Sequence, residues 1–319
     1  IPQIGLAGME TTWIDDIRSW PSPRPDDDGL TLLEQVLREA LSGPSAKIGI
    51  PLGHESHLRM PAGDFLTLRD RLSAFEWCDV RGLLRAQMVI KSEAEIDKIR
   101  YICGVTSDAF EALPQYARTG MSEREICKAL QLDILRRGGD ATPYLIGASG
   151  PDGYDNIIMG PTDRVVGAGD VLVIDTGATF DGYFCDFDRN FAFEHASDDV
   201  LEAYRTVYAA TDAGFAFARP GVTASELCAV MWAVMEAGGA LGNTVGRLGH
   251  GLGMQLTEWP SNMNGDNTVL APGMVLTLEP GMVFAPGRLM VHEENIVIRD
   301  GGAEYLSRRA PQEMTVIQS

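Results

Sequence analysis

The chain has 319 residues, 45% of them apolar and 22% charged, and a formal net charge of −19. That length allows two domains with sizeable cores, and the acidic balance excludes nucleic acid and anionic membrane surfaces as partners, because both would repel it. No apolar run approaches the roughly 20 residues needed to span a bilayer.

Residues 1–90 read as a smaller α/β unit. Ser22 to Asp28, rich in Pro and Asp, marks a surface loop. Thr31 with Glu34 three residues on is a capping-box signature, and Leu32 to Leu41 then has helical spacing. Lys47 to Ile50 reads as a strand stopped by Pro51. His54 and His57 fall in this unit and are expected at the surface.

A second unit is expected over 91–319. Ser92-Glu93-Ala94-Glu95 is another capping box, predicting a helix from Ile96 to about Tyr116. An internal repeat follows. Ala117-Arg118-Thr119-Gly120-Met121-Ser122, with Glu125-Ile126-Cys127 close behind, recurs 101 residues later as Ala218-Arg219-Pro220-Gly221-Val222-Thr223 with Glu226-Leu227-Cys228. Each copy ends a helix at Gly and restarts at Ser or Thr three residues before Glu, so each is a helix–turn–helix unit. The repeat predicts an α+β fold of two duplicated α/β halves, each a helix pair backing a sheet. A site drawn from both halves would lie in the cleft between them. Gly147 to Gly153, followed by Tyr154 and Asp155, is expected to form a substrate loop.

Five residues of the second unit read as one metal-binding set: Asp175, Asp186, His250, Glu279 and Glu294. Asp175 ends the apolar run Val171 to Ile174, a buried-strand signal. Asp186 follows the hairpin turn Asp181-Gly182. With that pair as a two-residue turn, Asp188 lies opposite Asp175, and Asp175 and Asp186 become diagonal neighbours about 7–8 Å apart. His250 sits among glycines that allow close backbone approach. Glu279 closes Val275 to Leu278, and Glu294 opens Asn295 to Ile298. Four carboxylates and an imidazole suit divalent ions such as manganese, iron, cobalt or zinc. One dication would leave about two negative charges in a poorly solvated site and two would balance it, so a dinuclear centre is expected.

Val173-Ile174-Asp175-Thr176-Gly177, Asp186-Phe187-Asp188-Arg189, Gly249-His250-Gly251-Leu252-Gly253, Glu258-Trp259-Pro260, Leu278-Glu279-Pro280-Gly281 and Glu294-Asn295 resemble the creatinase / methionine aminopeptidase superfamily with the pita-bread fold. Within it they are most similar to the Xaa-Pro aminopeptidase and prolidase branch. The spacings of 11, 29 and 15 residues between successive motifs also fit, and the resemblance covers roughly residues 92–308. It implies a pita-bread catalytic domain behind an α/β domain that is shortened here. It also implies a homodimer in which one chain's first domain nears the partner's site. In the site, Asp175 and Asp186 would hold one metal and His250 the other. Glu294 and a second oxygen of Asp186 would complete the pair, and Glu279 would shuttle the proton. The implied reaction is hydrolysis of an amide bond, in a short peptide or small molecule, by a metal-bound water.

The departures bear on substrate. In that branch a histidine lies 17 residues before the first Asp ligand and another 7 residues after the His ligand; here those positions are Ile158 and Thr257. An Arg two residues before the final Glu becomes His292. Losing a donor to the substrate carbonyl costs about 3–4 kcal/mol of transition-state stabilisation. His292 shares a strand face with Glu294 by parity and could replace one; the bland reading is a strand histidine bonded to a neighbour. Asp188 reads either as an extra ligand or orienter, or as a partner for Arg189 or a backbone amide. Trp259 is expected in the core or pocket wall.

A metallohydrolase of the Xaa-Pro peptidase type leads these readings. The alternative is a non-peptidase of the same superfamily, a creatinase-like C–N hydrolase or an enzyme like its dimethylsulfoniopropionate lyases. A non-catalytic binding protein has no reason to keep four mutually repelling carboxylates. Five cysteines, Cys78, Cys103, Cys127, Cys185 and Cys228, lack CxxC spacing and read as reduced thiols in a cytoplasmic setting. The chain opens on Ile1, so further residues are expected before it.

Overall fold

A computed structural model describes residues 1–9, 12–43, 46–53, 56–243 and 246–318. The chain divides into two units, Ile1–Arg85 and Ala86–Ser319. The division falls inside helix α3, five residues before the boundary suggested by the sequence. The first unit contains α1 (Leu30–Ala40), β1 (Lys47–Ile50), α2 (Ala62–Arg71) and β2 (Glu76–Asp79), with α3 (Arg81–Met88) starting in it. β1 and β2 pair in parallel over a small core of Ile48, Ile50, Leu68 and Leu72. The Thr31 capping box is not formed. α1 starts two residues earlier, at Leu30 behind Gly29 in the left-handed region, so Thr31 is already helical and its amide donates to Asp27 Oδ1 at 2.8 Å. Glu34 accepts from Arg38 and Arg71 instead. His57 is exposed, and His54 lies outside the described residues.

In the second unit the chain runs α4 (Glu93–Ala112), α5 (Glu123–Arg137), β3 (Ala141–Pro151), β4 (Asp170–Phe180), β5 (Tyr183–Phe184) and β6 (Phe187–Phe193). It continues through α6 (Asp198–Phe217), α7 (Ala224–Ala237), β7 (His250–Gly251), β8 (Glu258–Ser261), β9 (Val275–Leu278) and β10 (Gly281–Ala285). It ends with β11 (Arg288–Val291), β12 (Glu294–Arg299), β13 (Gly302–Tyr305) and β14 (Thr315–Ile317). The boxes Ser92/Glu95, Ser122/Glu125 and Thr223/Glu226 open α4, α5 and α7, each satisfying amides that a helix start leaves bare.

The internal repeat is a structural duplication. α4 and α5 pack on a sheet ordered β14-β6-β4-β3, and α6 packs on strands of a sheet ordered β13-β12-β9-β7-β8 with α7 beside it. Equivalent backbone bridges mark the equivalence: Ser122 to Val165 in one half, Thr223 to Val269 in the other. Two apolar clusters fill the unit, each centred on one helix pair and completed by strand residues of the other half, Val275 and Val297 in the first and Val171 and Val173 in the second. Ile99, Ile102, Phe110 and Leu130 come from the helix pair of the first cluster; Val207, Leu227 and Met231 from that of the second. Burying each such side chain contributes about 1.5–3 kcal/mol.

Two features aim the sheets at one point. The turn Asp181-Gly182 has both residues at positive φ, as a two-residue hairpin of this hand requires. It sets Phe180 opposite Tyr183 and Asp175 opposite Asp188. Between the sheets, Asn295 before β12's apolar run accepts from the Asp186 amide at 3.0 Å and donates back to the Asp186 carbonyl. No helix among the described residues is long and apolar enough to cross a membrane.

Gly249, at φ +132, lets β7 press against β9: a Cβ there would lie 2.2 Å from the Thr277 carbonyl oxygen and 2.5 Å from Asn262 Nδ2. Gly182 also has positive φ but open space around it. Gly249→Ala should therefore lose on the order of 3 kcal/mol in denaturant unfolding, against about 1 kcal/mol for Gly182→Ala. Equal losses would mean that backbone conformation alone matters at Gly249.

Candidate metal centre

A cavity of about 250 Å³ opens where the two sheets meet, lined by Tyr144, Asp175, Asp186, Asp188, Arg247, His250, Glu279 and Glu293. Strand alternation brings Asp175 and Asp188 to it directly across β4 and β6, with Asp186 two residues along the same face. Tyr144 on β3 donates to Asp175 Oδ2 at 2.9 Å. From the other half, the His250 amide donates to Thr277 Oγ1 at 3.0 Å, which sets the start of β7, and Glu279 follows β9 directly. His250 Nε2 lies 3.4 Å from Asp186 Oδ2 and 3.9 Å from Glu279 Oε2. Ligand atoms of Asp186, His250 and Glu293 all fall within 4.8 Å of one another. One ion with bonds of about 2.1 Å can span such separations. His250 Nδ1 sits 2.9 Å from the Gly251 carbonyl, so this nitrogen is the donor and Nε2 keeps its lone pair for the cavity.

Four of the five expected ligands converge; Glu294 does not. It is fully buried on the opposite face of β12. Its Oε1 accepts from the Ala310 amide at 2.8 Å and Arg309 at 3.3 Å, and its Oε2 from Arg189 at 3.2 Å and Ser307 Oγ. Its neighbour Glu293 occupies the cavity instead. A one-residue slip exchanges the two faces of a strand, and β12 carries apolar residues on both, so alternation could not reveal which glutamate points where. His292 goes with Glu294. Its ring is buried against Tyr204 and Tyr208, 2.8 Å from Arg309, away from the cavity, and burial and that guanidinium depress its pKa and keep it neutral. It therefore does not take the place of a missing donor. With Glu293 as the last carboxylate, the residue two positions before it is Val291, which lines the cavity.

Asp188 is drawn in as well: its Oδ1 accepts from the Glu293 amide at 2.9 Å. Tyr154 is not a substrate-loop residue. It is buried and donates to Asn190 Oδ1 at 2.8 Å, because Gly147 to Pro151 continue β3 beneath it. Ile157 and Ile158, further along that connection, form part of the wall. Both ends of the connection are held by one buried carboxylate, Glu123. It accepts the amide and hydroxyl of Ser149 at 2.7 and 2.6 Å, and those of Thr162 at 2.9 and 2.7 Å. Trp259 donates to Thr268 at 2.8 Å and does not line the cavity. Tyr144, Arg247 and Glu293 escaped the sequence reading. Parity with Asn295 could have flagged Glu293; the other two belong to no ligand pattern.

Asp175 Oδ1, Asp186 Oδ1, Asp188 Oδ2, Glu279 Oε2 and Glu293 Oε1 are all buried without a hydrogen-bond partner. Leaving such an oxygen bare costs on the order of 1–3 kcal/mol, more if charged. Burial raises the pKa of all five, reaching about 8 at Asp186, and mutual repulsion adds to it at Asp175, Asp188, Glu279 and Glu293. Five bare carboxylate oxygens around a single cavity, with the His250 imidazole beside them, are an acceptor set that suits divalent cations.

Residues 97–300 match metallopeptidase family M24. A probable dipeptidase PepE of Mycobacterium tuberculosis is 32% identical over 270 residues, 84% of this chain and 71% of its own. An Xaa-Pro dipeptidase of Pyrococcus horikoshii is 30% identical over 263 residues, 81% and 73% of the two chains. The crystal structure of dipeptidase PepE from Mycobacterium ulcerans superposes with a TM-score of 0.83 at 28% identity, covering 100% of this chain and 83% of that one.

Because the folded, metal-free chain holds the Asp186 proton more tightly than the unfolded chain, stability is lost as pH rises from about 4 through about 8. Metal-free protein should melt lower at pH 8 than at pH 5.5, and Mn²⁺ should raise the melting temperature more at pH 8; a pH-independent melt would contradict this crowding. The adjacent glutamates should also separate. Glu293→Gln should weaken metal uptake at least about 100-fold while leaving the metal-free fold intact, whereas Glu294→Gln should cost about 3–5 kcal/mol of stability. Metal titration and denaturant unfolding of both variants check it; the reverse pattern would restore Glu294 as the ligand.

Proposed function

The chain belongs to metallopeptidase family M24, in the Xaa-Pro aminopeptidase and prolidase branch of the pita-bread superfamily, and is thus a metallohydrolase; we propose that it cleaves the amide bond of Xaa-Pro dipeptides at a pair of divalent ions. The reading is carried by the five partnerless carboxylate oxygens gathered around His250. Asp175, Asp186, His250, Glu279 and Glu293 would hold the metals. Two dications offset four of the five negative charges lining the cavity, and Arg247 offsets the fifth. Bound there, the ions would polarise a substrate carbonyl and lower the pKa of the attacking water.

The chain's own groups do the rest. Glu279 keeps 18% of its side chain accessible, against 6% for Asp186, and its bare Oε2 faces His250. It is the carboxylate best placed to take a proton from water and return it to the leaving nitrogen. Tyr144 holds Asp175 in one orientation through Oδ2, and burial with the adjacent carboxylates raises the phenol's pKa so that it stays protonated. Asn295 fixes the Asp186 backbone from across the sheets. Ile146, Val173, Leu256 and Val291 keep the surroundings apolar, which strengthens every charge interaction inside.

A second reading, hydrolysis of a small non-peptide, is favoured by Ile158 and Thr257. Both line the cavity where the branch has ring N–H donors, and Ile158 is 77% exposed with no polar atom to offer. The two separate in one experiment. Metal-stripped protein titrated with Mn²⁺ should take up close to two ions per chain by elemental analysis and hydrolyse Ala-Pro, and Glu279→Gln should lose at least about 100-fold in kcat. Uptake of one ion or none would sink the dinuclear assignment. Full occupancy with no turnover across a panel of Xaa-Pro dipeptides would leave the non-peptide reading.

A further inference from the structure

We propose that Asp188 is a further metal ligand of the cavity, binding through Oδ2 the ion held on the Asp175 side. This rests on the reading of the cavity as a two-ion centre and goes beyond it by adding a carboxylate outside the five ligands assigned above.

Register puts Asp188 within reach. β4 and β6 are antiparallel with Asp175 directly opposite Asp188, and side chains so paired leave their strands about 4.5–5.5 Å apart at Cβ. Two carboxylates at that spacing can close on one ion with metal–oxygen bonds of about 2.1 Å. Asp188 is 1% exposed. Its Oδ1 accepts from the Glu293 amide at 2.9 Å, which fixes the carboxylate against the start of β12. Its Oδ2 is buried with no hydrogen-bond partner. The side chain lines the same cavity as Asp175 and Glu293, each of which also carries a bare oxygen.

No cation of the protein takes that oxygen. Arg189, the neighbour in sequence, donates instead to the carbonyls of Asp188, Glu293 and Arg308 and to Glu294 Oε2. Among the described residues no Lys, Arg or His nitrogen lies within 4.0 Å of the Asp188 carboxylate. Glu294, on the other face of β12, shows what a purely structural acid looks like here, with four donors on its two oxygens. Asp188 has one donor and faces the cavity. Its place also says which ion it serves. Ligand atoms of Asp186, His250 and Glu293 gather within 4.8 Å of one another, and neither Asp175 nor Asp188 belongs to that group. A second ion beside Asp175 would otherwise depend largely on oxygens shared with the first. A carboxylate from directly across the strand pair completes it with an oxygen of its own.

The test uses Asp188→Asn. Asparagine keeps the shape and the acceptor for the Glu293 amide, and it reproduces a protonated acid, so the variant removes only the anionic ligand. Metal-stripped wild type and variant are titrated with Mn²⁺ by calorimetry, with elemental analysis of the loaded proteins. The wild type should take up two ions. Asp188→Asn should bind one of them at least about 100-fold more weakly and change the other by less than about 10-fold. Both affinities come from one folded population, so the contrast is insensitive to the fraction folded. With Co²⁺ as the probe, the variant's visible absorption should intensify, because losing an oxygen ligand lowers the coordination number. Equal affinities in wild type and variant, equal weakening of both ions, or an unchanged Co²⁺ spectrum would overturn the assignment of Asp188 and leave the two-ion reading standing. Fewer than two ions in the wild type would overturn both.

Discussion

Five carboxylates share a cavity with too few donors to satisfy them, and the rest of the second unit is arranged around that crowding. Their repulsion in a poorly solvated pocket can be relieved by protons or by cations, and the choice depends on pH. The adjacent pair Glu293 and Glu294 shows how sharply the chain distinguishes the two situations. Glu294 is wrapped by Arg189, Arg309, Ser307 and the Ala310 amide and has no need of an ion. Glu293, one residue earlier, has an oxygen with no partner.

The scaffold behind the cavity explains how such a cluster stays folded. Arg189 reaches the carbonyls of Asp188 and Glu293 as well as the Glu294 carboxylate, joining β6 to the start of β12. Asn295 repeats the join through both backbone groups of Asp186. Apolar packing shared between the halves, with Val275 and Val297 in one cluster and Val171 and Val173 in the other, backs this polar join.

Local rules with a fixed geometry were legible in the sequence. Asp181-Gly182 dictates a turn, the turn dictates register, and register puts Asp175 opposite Asp188. Ser or Thr followed by Glu three residues on opened α4, α5 and α7, because each box satisfies amides regardless of what surrounds it. The same signature failed at Thr31, where Gly29 and Asp27 start the helix sooner. Illegible features lacked a local rule. β12 is apolar on both faces, so alternation does not tell Glu293 from Glu294, and only the fold shows Glu293 facing the cavity while Glu294 and His292 face away. Tyr154 follows glycines that suggest a loop, yet those glycines continue a strand. Arg247 precedes the His250 motif and gains meaning only once the cavity around it is known.

Glu123 gives the cavity wall an unusual independence. By fastening Ser149 and Thr162 to one helix end, it turns the intervening residues into a cassette whose two attachment points are fixed. Substitutions at Ile157 or Ile158 can reshape the entrance without shifting the strands that carry Asp175 and Asp186. New preferences can therefore evolve at the rim while the carboxylate-lined floor stays unchanged.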